Sequence, residues 1–285
     1  MAPGEAERWC AGRAPPPLCR IAAPRSLWIQ YDPAIDALEL IALAVWSFTV
    51  SAVGGLVGLV LGNLRLPLVV LLASSPAAGA GANVGISGVA AITAAGAHAR
   101  AGRVNWRLFG WMAPTSLVGA IVGGLISGAL PSRVLLGVIA VVVLYGALEV
   151  LRYRRPVEQR ELSRGELVLN AAAIGFGVGV IGGVVGLILG SLRLPAMVKW
   201  AGVGPYGAVG TNAAVGAVVG IGGVLGHLPS GVDWNLLAVG AAAAVPGAYL
   251  GSHLTGRLDE RALLRACAAV MVVSGASMLA QAIVG

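Results

Sequence analysis

A fourteen-residue segment occurs twice in this chain with almost the same sequence. GGLVGLVLGNLRLP covers Gly54–Pro67 and GGVVGLILGSLRLP covers Gly182–Pro195, with eleven identical positions and an offset of 128 residues. Each copy carries one arginine, Arg65 or Arg193, within sequence that is otherwise apolar. Duplication on this scale predicts two homologous repeats, and a charge in such a setting predicts a functional group.

The composition indicates a polytopic membrane protein. Of the 285 residues, 58% are hydrophobic and 11% are charged, whereas soluble domains have roughly 25% charged residues. The net charge of +7 comes from arginines in short segments between apolar runs, a pattern typical of cytoplasmic loops. We therefore expect a multi-pass protein of the cell membrane that binds no nucleic acid. The three cysteines lack metal-ligand spacing, and neither a metal nor a cofactor is predicted.

Apolar runs of about 20 residues, the length that crosses a bilayer, recur along the chain. They predict an all-α membrane protein of about eight transmembrane helices in two homologous repeats. The predicted organisation is a disordered N-terminal tail over residues 1–37, repeat 1 over 38–151, a cytoplasmic linker over 152–166 and repeat 2 over 167–285.

The segment after each repeated motif is too short to cross the membrane alone. It predicts that the first helix of each repeat is broken or re-entrant, with the break at Leu64–Pro67 and Leu192–Pro195. If the motif-bearing helix crosses once, the repeats are parallel; if it turns back, they are inverted. The tail arginines favour a single crossing with both termini inside, which we prefer, whereas Arg257, Arg261 and Arg265 favour the other topology.

The glycines and the arginine of the motif have different interpretations. The glycines recur at three- and four-residue spacing, which is typical of close helix packing. Arg65 and Arg193 fit an interfacial arginine, a topology-setting charge or an anion-binding group. A guanidinium is permanently charged and matches the geometry of oxyanions. We adopt the hypothesis that both arginines bind an anionic substrate.

Two asparagines are predicted to lie at helix starts. Asn83 and Asn212 follow Gly81 and Gly210, and Thr211 stands beside the second asparagine. Such residues cap helices, and free N–H groups at a helix start also attract anions. The predicted substrate-binding residues form one pseudo-symmetric site where the two broken helices meet: Arg65, Arg193, Asn83, Asn212 and Thr211.

Two other function classes remain as alternatives. Gly85–Gly88 reads GISG and His98 follows eleven residues after Ser87, so an intramembrane serine protease is one alternative; catalysis would require Ser and His to meet. A membrane scaffold without transport is the other. Neither a Walker motif nor a carboxylate relay at membrane depth is visible, and we predict a transporter without enzymatic activity.

The ordered set of motifs resembles the sulfite exporter TauE/SafE family of four-plus-four-helix membrane transporters. The resemblance rests on three sets of segments: the two motif copies, the G-x-N segments ending at Asn83 and Asn212, and the VNWRL and VDWNL segments that begin at Val104 and Val232. The resemblance implies a plasma-membrane protein that moves sulfite or organosulfonates. This chain departs from the family pattern by placing arginine in GNLRLP and GSLRLP, where the family is usually uncharged. The expected partners are a small anion and the lipid bilayer, and a homo-oligomer is compatible with the sequence.

Overall fold

The computed structural model describes residues 36–125, 132–152, 163–185 and 187–284, and all regular structure within these ranges is helical. Residues 1–35 of the predicted tail and residues 153–162 of the predicted linker lie outside the described residues. Among the helices of the described ranges, six are long and apolar enough to cross a membrane: Ala37–Val57, Ala78–Arg100, Gly165–Gly182, Pro205–His227, Trp234–Arg257 and Glu260–Ile283.

The described part of the chain contains ten α-helices. In chain order they are α1 Ala37–Val57, α2 Gly62–Leu72, α3 Pro76–Arg100, α4 Trp106–Leu125, α5 Ser132–Arg152, α6 Arg164–Val185, α7 Gly190–Trp200, α8 Pro205–His227, α9 Trp234–Leu254 and α10 Glu260–Val284. Short 3-10 turns follow α8 and α9. α2 and α7, which carry the two arginines, have only 11 residues each.

The first motif-bearing helix breaks earlier than the sequence predicts. α1 ends because Gly58 adopts the left-handed conformation, with φ at 64°, which glycine tolerates without a Cβ penalty. The Leu59 N–H then donates to the Gly54 carbonyl at 2.9 Å, and Leu187 makes the same 2.9 Å bond to Gly182, as expected of a Schellman-type helix end. The predicted break at Leu64–Pro67 is wrong, since Arg65 and Pro67 lie inside α2.

α1 and α3 run in the same direction. Ser47 and Ile86 both approach Gly240 of α9, and about two to three turns further along, the His98 ring lies 3.1 Å from the Gly55 carbonyl. Two consecutive long helices can be parallel only if the chain between them returns. α2 therefore folds back beside α1, and the preferred prediction of a single crossing by the motif-bearing segment is wrong.

α7 folds back in the same way. The Asn170 side chain, near the start of α6, donates a 2.8 Å hydrogen bond to the carbonyl of Trp200, the last residue of α7. A continuous helix would separate residues 30 positions apart by about 45 Å. Each arginine-bearing helix is therefore the second arm of a helical hairpin, and we call residues 58–61 and 187–189 the hairpin tips.

The remaining long helices pack across the two halves of the chain. Gly247 and Gly251 of α9 pack against Phe48 and Ala52 of α1, so these helices are parallel. α4 and α6 are also parallel, because Gly175 meets Met112 and Gly179 meets Ser116.

Two further pairs are antiparallel. In α3 and α8, Val84 packs against Gly223 and Ala91 against Gly216; in α5 and α10, Gly137 lies near Ala282 and Gly146 near Met271. The central pair, α3 and α8, crosses where Gly88 and Gly220 meet face to face.

Large apolar side chains remain exposed on the outer helices. They include Leu38, Val45, Trp111, Ile121, Tyr145, Leu169, Phe176, Ile221 and Leu250. Contiguous apolar surface of this kind is typical of a protein that contacts lipid. In contrast, two of the largest fully buried side chains in the described residues are the charged ones of Arg65 and Arg193.

Candidate functional site

Arg65 is buried in a cluster of neutral hydrogen-bond acceptors. It is the fourth residue of α2 and is 1% exposed. Its Nε donates to Asn83 Oδ1 at 3.1 Å, and one terminal nitrogen, Nη2, donates to Ser87 Oγ at 2.6 Å and to the Asn83 carbonyl at 3.5 Å. The other, Nη1, reaches Ser51 Oγ at 3.5 Å. We call these four residues the Arg65 cluster.

Arg193 occupies the corresponding place in the second half, with fewer hydrogen-bond partners among the residues that the structure describes. It is the fourth residue of α7 and is also 1% exposed. Its Nη1 donates to Asn212 Oδ1 at 3.1 Å, whereas its buried Nε has no hydrogen-bond partner within the described ranges. The counterpart of Ser87 is Gly216, which has no hydroxyl to offer. The two arginine environments are therefore related but not equal.

The two asparagines link the arginines to the hairpin tips. The Asn83 amide donates to the Gly62 carbonyl at 3.0 Å. The Asn212 amide donates to Gly190 at 3.1 Å and to Gly58, in the other half of the chain, at 2.7 Å. The Gly58 carbonyl stands at the C-terminal end of α1, where carbonyls lack intrahelical partners, and Asn212 satisfies it, whereas Gly62 and Gly190 are the first residues of α2 and α7. Each asparagine thus fixes both a guanidinium and the break that precedes it.

The prediction that Asn83 and Asn212 begin their helices is wrong. Each is the eighth residue of its helix, because α3 begins at Pro76 and α8 at Pro205. Ser75 caps α3 by accepting the Ala78 N–H at 3.2 Å. The asparagines therefore act through their side chains, and no free helix N-terminus stands at these positions.

Neither guanidinium is paired with a carboxylate in the described residues. The hydrogen-bond partners found there are amide, hydroxyl and carbonyl oxygens. Removing an unpaired charge from water costs several kcal/mol even after relaxation. These neutral acceptors offset that cost only in part, so the site would gain from a bound anion.

The two arginines belong to separate clusters. Asn83 adjoins Val84, which packs against Gly223, whereas Asn212 adjoins Ala213, which shares an apolar cluster with Ala94. The ten residues from Val84 to Ala94 correspond to about 15 Å along α3. The single site predicted from the sequence is therefore not formed; the structure joins each arginine to its own asparagine.

A small cavity lies between the Arg65 cluster and the centre of the protein. Its volume is about 20 Å³, and Ser51, Arg65, Ser87, Val60 and Ala213 are among the residues that line it. That is little more than the space that one water molecule requires. An anion larger than one water molecule would fit there only if the surrounding helices separated.

Thr211 is buried but is not part of either arginine cluster. Its hydroxyl accepts the backbone N–H of Asn105 at 2.8 Å, and Asn105 in turn caps α4 by accepting the Leu108 N–H at 3.0 Å. The described contacts of Thr211 thus tie α8 to the start of α4.

Ser51, a partner of Arg65, was not predicted from the sequence, although Ser47 and Ser51 form a polar pair at helical spacing within an apolar run.

Ser87 and His98 do not form a catalytic pair. Both lie on α3, and eleven residues of continuous helix separate them by about 16 Å. Ser87 accepts a hydrogen bond from Arg65, and His98 Nε2 lies 3.1 Å from the Gly55 carbonyl. This arrangement leaves the protease alternative without support.

Comparison with known proteins identifies a family that matches the chain. A family model described as Sulfite exporter TauE/SafE matches residues 43–278, most of the chain. No curated protein and no solved structure shows significant similarity to the chain.

Proposed function

Because the chain belongs to the sulfite exporter TauE/SafE family, we propose that it moves small sulfur-containing oxyanions, such as sulfite or organosulfonates, across the cell membrane. The match over residues 43–278 confirms the family resemblance found in the sequence. A family of exporters also agrees with the predicted absence of enzymatic activity. The substrate class and the cell membrane as location form part of the proposal.

The proposal includes an architecture of two inverted repeats. α4 and α5 have 20 and 21 residues, or about 30 Å of helix, and would join the six candidate spans to make eight long helices. Because α2 and α7 return the chain to the side from which α1 and α6 enter, each repeat would make three net crossings. Two observations support inversion: α3 is antiparallel to its counterpart α8, and α5 is antiparallel to α10. Inverted repeats place a binding region near the midplane of the membrane.

The distribution of arginines supports an orientation. Helix directions bring the ends of α3, α5 and α9 and the starts of α4, α6 and α10 to one side, which we call the linker side. The arginines at those helix ends are Arg100, Arg103, Arg107, Arg152, Arg164, Arg257, Arg261 and Arg265. By the positive-inside rule the linker side faces the cytoplasm. Asp36 and Val284 then lie on the outer side.

Cysteine labelling tests this topology. With Cys10 and Cys19 replaced by serine and the buried Cys267 retained, one further cysteine at a time is introduced at three exposed positions, Ala101, Pro229 and Arg257. A membrane-impermeant maleimide added outside cells is expected to label the cysteine at 229 alone. In the parallel topology with both termini inside, it would instead label 257 alone, which would refute inversion.

The observation that carries the function is the fully buried guanidinium of Arg65 with only neutral partners in the described residues. A planar fork of N–H donors recognises an oxyanion by charge and geometry. With the linker side in the cytoplasm, the Arg65 cluster lies toward the outer side of the hairpin tips and Arg193 toward the cytoplasm. An anion would pass from one guanidinium to the other as the halves rock.

Anion efflux from proteoliposomes tests the proposed function. Vesicles are loaded in parallel with sulfite, an organosulfonate, sulfate or a carboxylate, and efflux is measured for the wild type and Arg65→Gln. Loss of a charged hydrogen-bond donor, worth about 1.5–3 kcal/mol, is expected to slow sulfite efflux about tenfold or more. Arg107→Gln, on the exposed linker side, is the matched control. Unchanged efflux in Arg65→Gln would contradict the role of this arginine, and a wild type without sulfur-anion efflux would contradict the function.

A further inference from the structure

A second, larger cavity lies on the lipid-facing side of the protein, between α5, α6 and α7. Its volume is about 410 Å³, within the range of small-molecule sites. Its wall is apolar and includes Ile174, Val178, Ile181 and Leu192, whereas Asn170, Lys199 and Trp200 lie at one end. We call this cavity the α7 groove.

The polar end of the α7 groove lies on the linker side. Asn170 stands near the start of α6, and its side chain donates a 2.8 Å hydrogen bond to the Trp200 carbonyl. α5 ends on the same side, at the exposed Arg152. Lys199, the only lysine of the chain, and Trp200 are both exposed. A tryptophan with a cation beyond an apolar wall is the arrangement found at a membrane interface.

The corresponding place in the first half is built differently. Offset by 128 residues, Lys199 and Asn170 correspond to Leu71 and Ala42, which bring neither charge nor amide. There α10 packs directly on α2, because Asn63 Nδ2 donates to Ser274 Oγ at 2.8 Å. In the second half, Gly146 of α5 packs closely against Pro195 of α7, and the cavity opens beyond this contact, where Gly146 and Pro195 form part of its lining.

We infer that the α7 groove binds one phospholipid of anionic head group, with an acyl chain along its apolar wall and the phosphate at Lys199. Charge complementarity selects this occupant: the cation stands where the head group of a cytoplasmic-leaflet lipid would lie, and basic residues between transmembrane helices attract anionic head groups. A zwitterionic lipid presents the same phosphate but sets a cation beside it, so its attraction to Lys199 is weaker, and an uncharged lipid would use the wall alone.

A bound lipid would contact the helix that carries Arg193. Leu192, Pro195, Ala196 and Lys199 line the groove at the spacing of a single helix face. Arg193 turns away from that face toward Asn212 on α8. The lipid would therefore support α7 from behind without entering the arginine cluster.

Native mass spectrometry of the purified full chain tests the inference. The protein in detergent is titrated with phosphatidylglycerol or with phosphatidylcholine of the same acyl chains, and bound lipid is counted. We expect about fivefold preference for phosphatidylglycerol from one lysine at the head-group level, and loss of that preference in Lys199→Leu. Leu71→Ala, at the equivalent position of the first half, is expected to keep it.

A second variant separates the groove from general surface charge. A Cβ at Gly177 meets no atom within 4 Å, so Gly177→Leu would fill the groove without disturbing the helices around it. This variant is expected to lose the tightly bound lipid of either type. Three results would overturn the inference. The wild type could retain both lipids equally, or Lys199→Leu could keep the preference for phosphatidylglycerol. The third is that Gly177→Leu disrupts a dimer while the number of bound lipids stays constant.

Discussion

Asn83→Leu is expected to lower the free energy of unfolding by about 3 kcal/mol or more, since it removes the side-chain acceptor of a buried guanidinium nitrogen. The Asn83 side chain accepts from Arg65 Nε at 3.1 Å and donates to the Gly62 carbonyl at 3.0 Å. Leucine has a similar volume but no polar atom, so both groups would remain buried and unsatisfied. Chemical denaturation of the protein in mixed micelles measures the effect.

The double variant Asn83→Leu/Arg65→Met shows whether the cost comes from the charge. Methionine removes the guanidinium that needs an acceptor, and replacing a buried charge by an apolar side chain is often neutral or stabilising. The double variant is therefore expected to be more stable than Asn83→Leu alone, although it should not transport. Asn235→Leu, at an exposed position of α9, controls for the substitution itself. Simple additivity of the two single effects would refute the coupling.

Gly58→Ala is expected to destabilise the protein by about 2–5 kcal/mol, combining the cost of a left-handed alanine with steric overlap. The φ of Gly58 is 64°, and an added Cβ would run into the backbone of Val209 on α8. Because the tip of the first hairpin would shift, anion efflux should fall as well. Thermal unfolding and efflux are measured on the same preparation.

Gly96→Ala is the matched control for the glycine substitution. Gly96 lies inside α3, and a Cβ there meets no atom within 4 Å. Alanine favours helix over glycine by roughly 1 kcal/mol, so this variant should unfold at the same or a higher temperature. Equal destabilisation by the two substitutions would show that Gly58 has no special backbone role.

The sequence was sufficient to locate the arginines and to find the duplication, because both are local patterns. Burial of Arg65 and Arg193 follows from a charge within apolar sequence, and the structure confirms it. The break was misplaced because Gly58 falls in register with Gly54, Gly55 and Gly62, and regular spacing looks like packing. The spacing of the glycines does not reveal that Gly58, unlike the others, adopts a left-handed φ.

The direction of α2 and α7 could not be predicted from hydropathy, which counts apolar residues but not the sense in which a helix runs. That direction depends on distant contacts, such as the bond between Asn212 and the Gly58 carbonyl, 154 residues apart. The same contacts separate the arginines. If the repeats are related by inversion, Arg65 and Arg193 lie on opposite sides of the centre of the protein. The identity of the two motif copies had predicted that they face each other in one site.

Because α1 packs against α9, it cannot acquire its main partner until most of the chain has been synthesised. The residues that meet, such as Phe48 and Gly247, are separated by nearly 200 positions of chain, which a ribosome adding 5–20 residues per second takes roughly 10–40 s to make. During that interval α1 would stand in the bilayer without its main partner, with Ser47, Ser51 and the first hairpin tip not yet covered. The N-terminal half released by itself would expose those polar groups, so the two halves should mature only as one translation product.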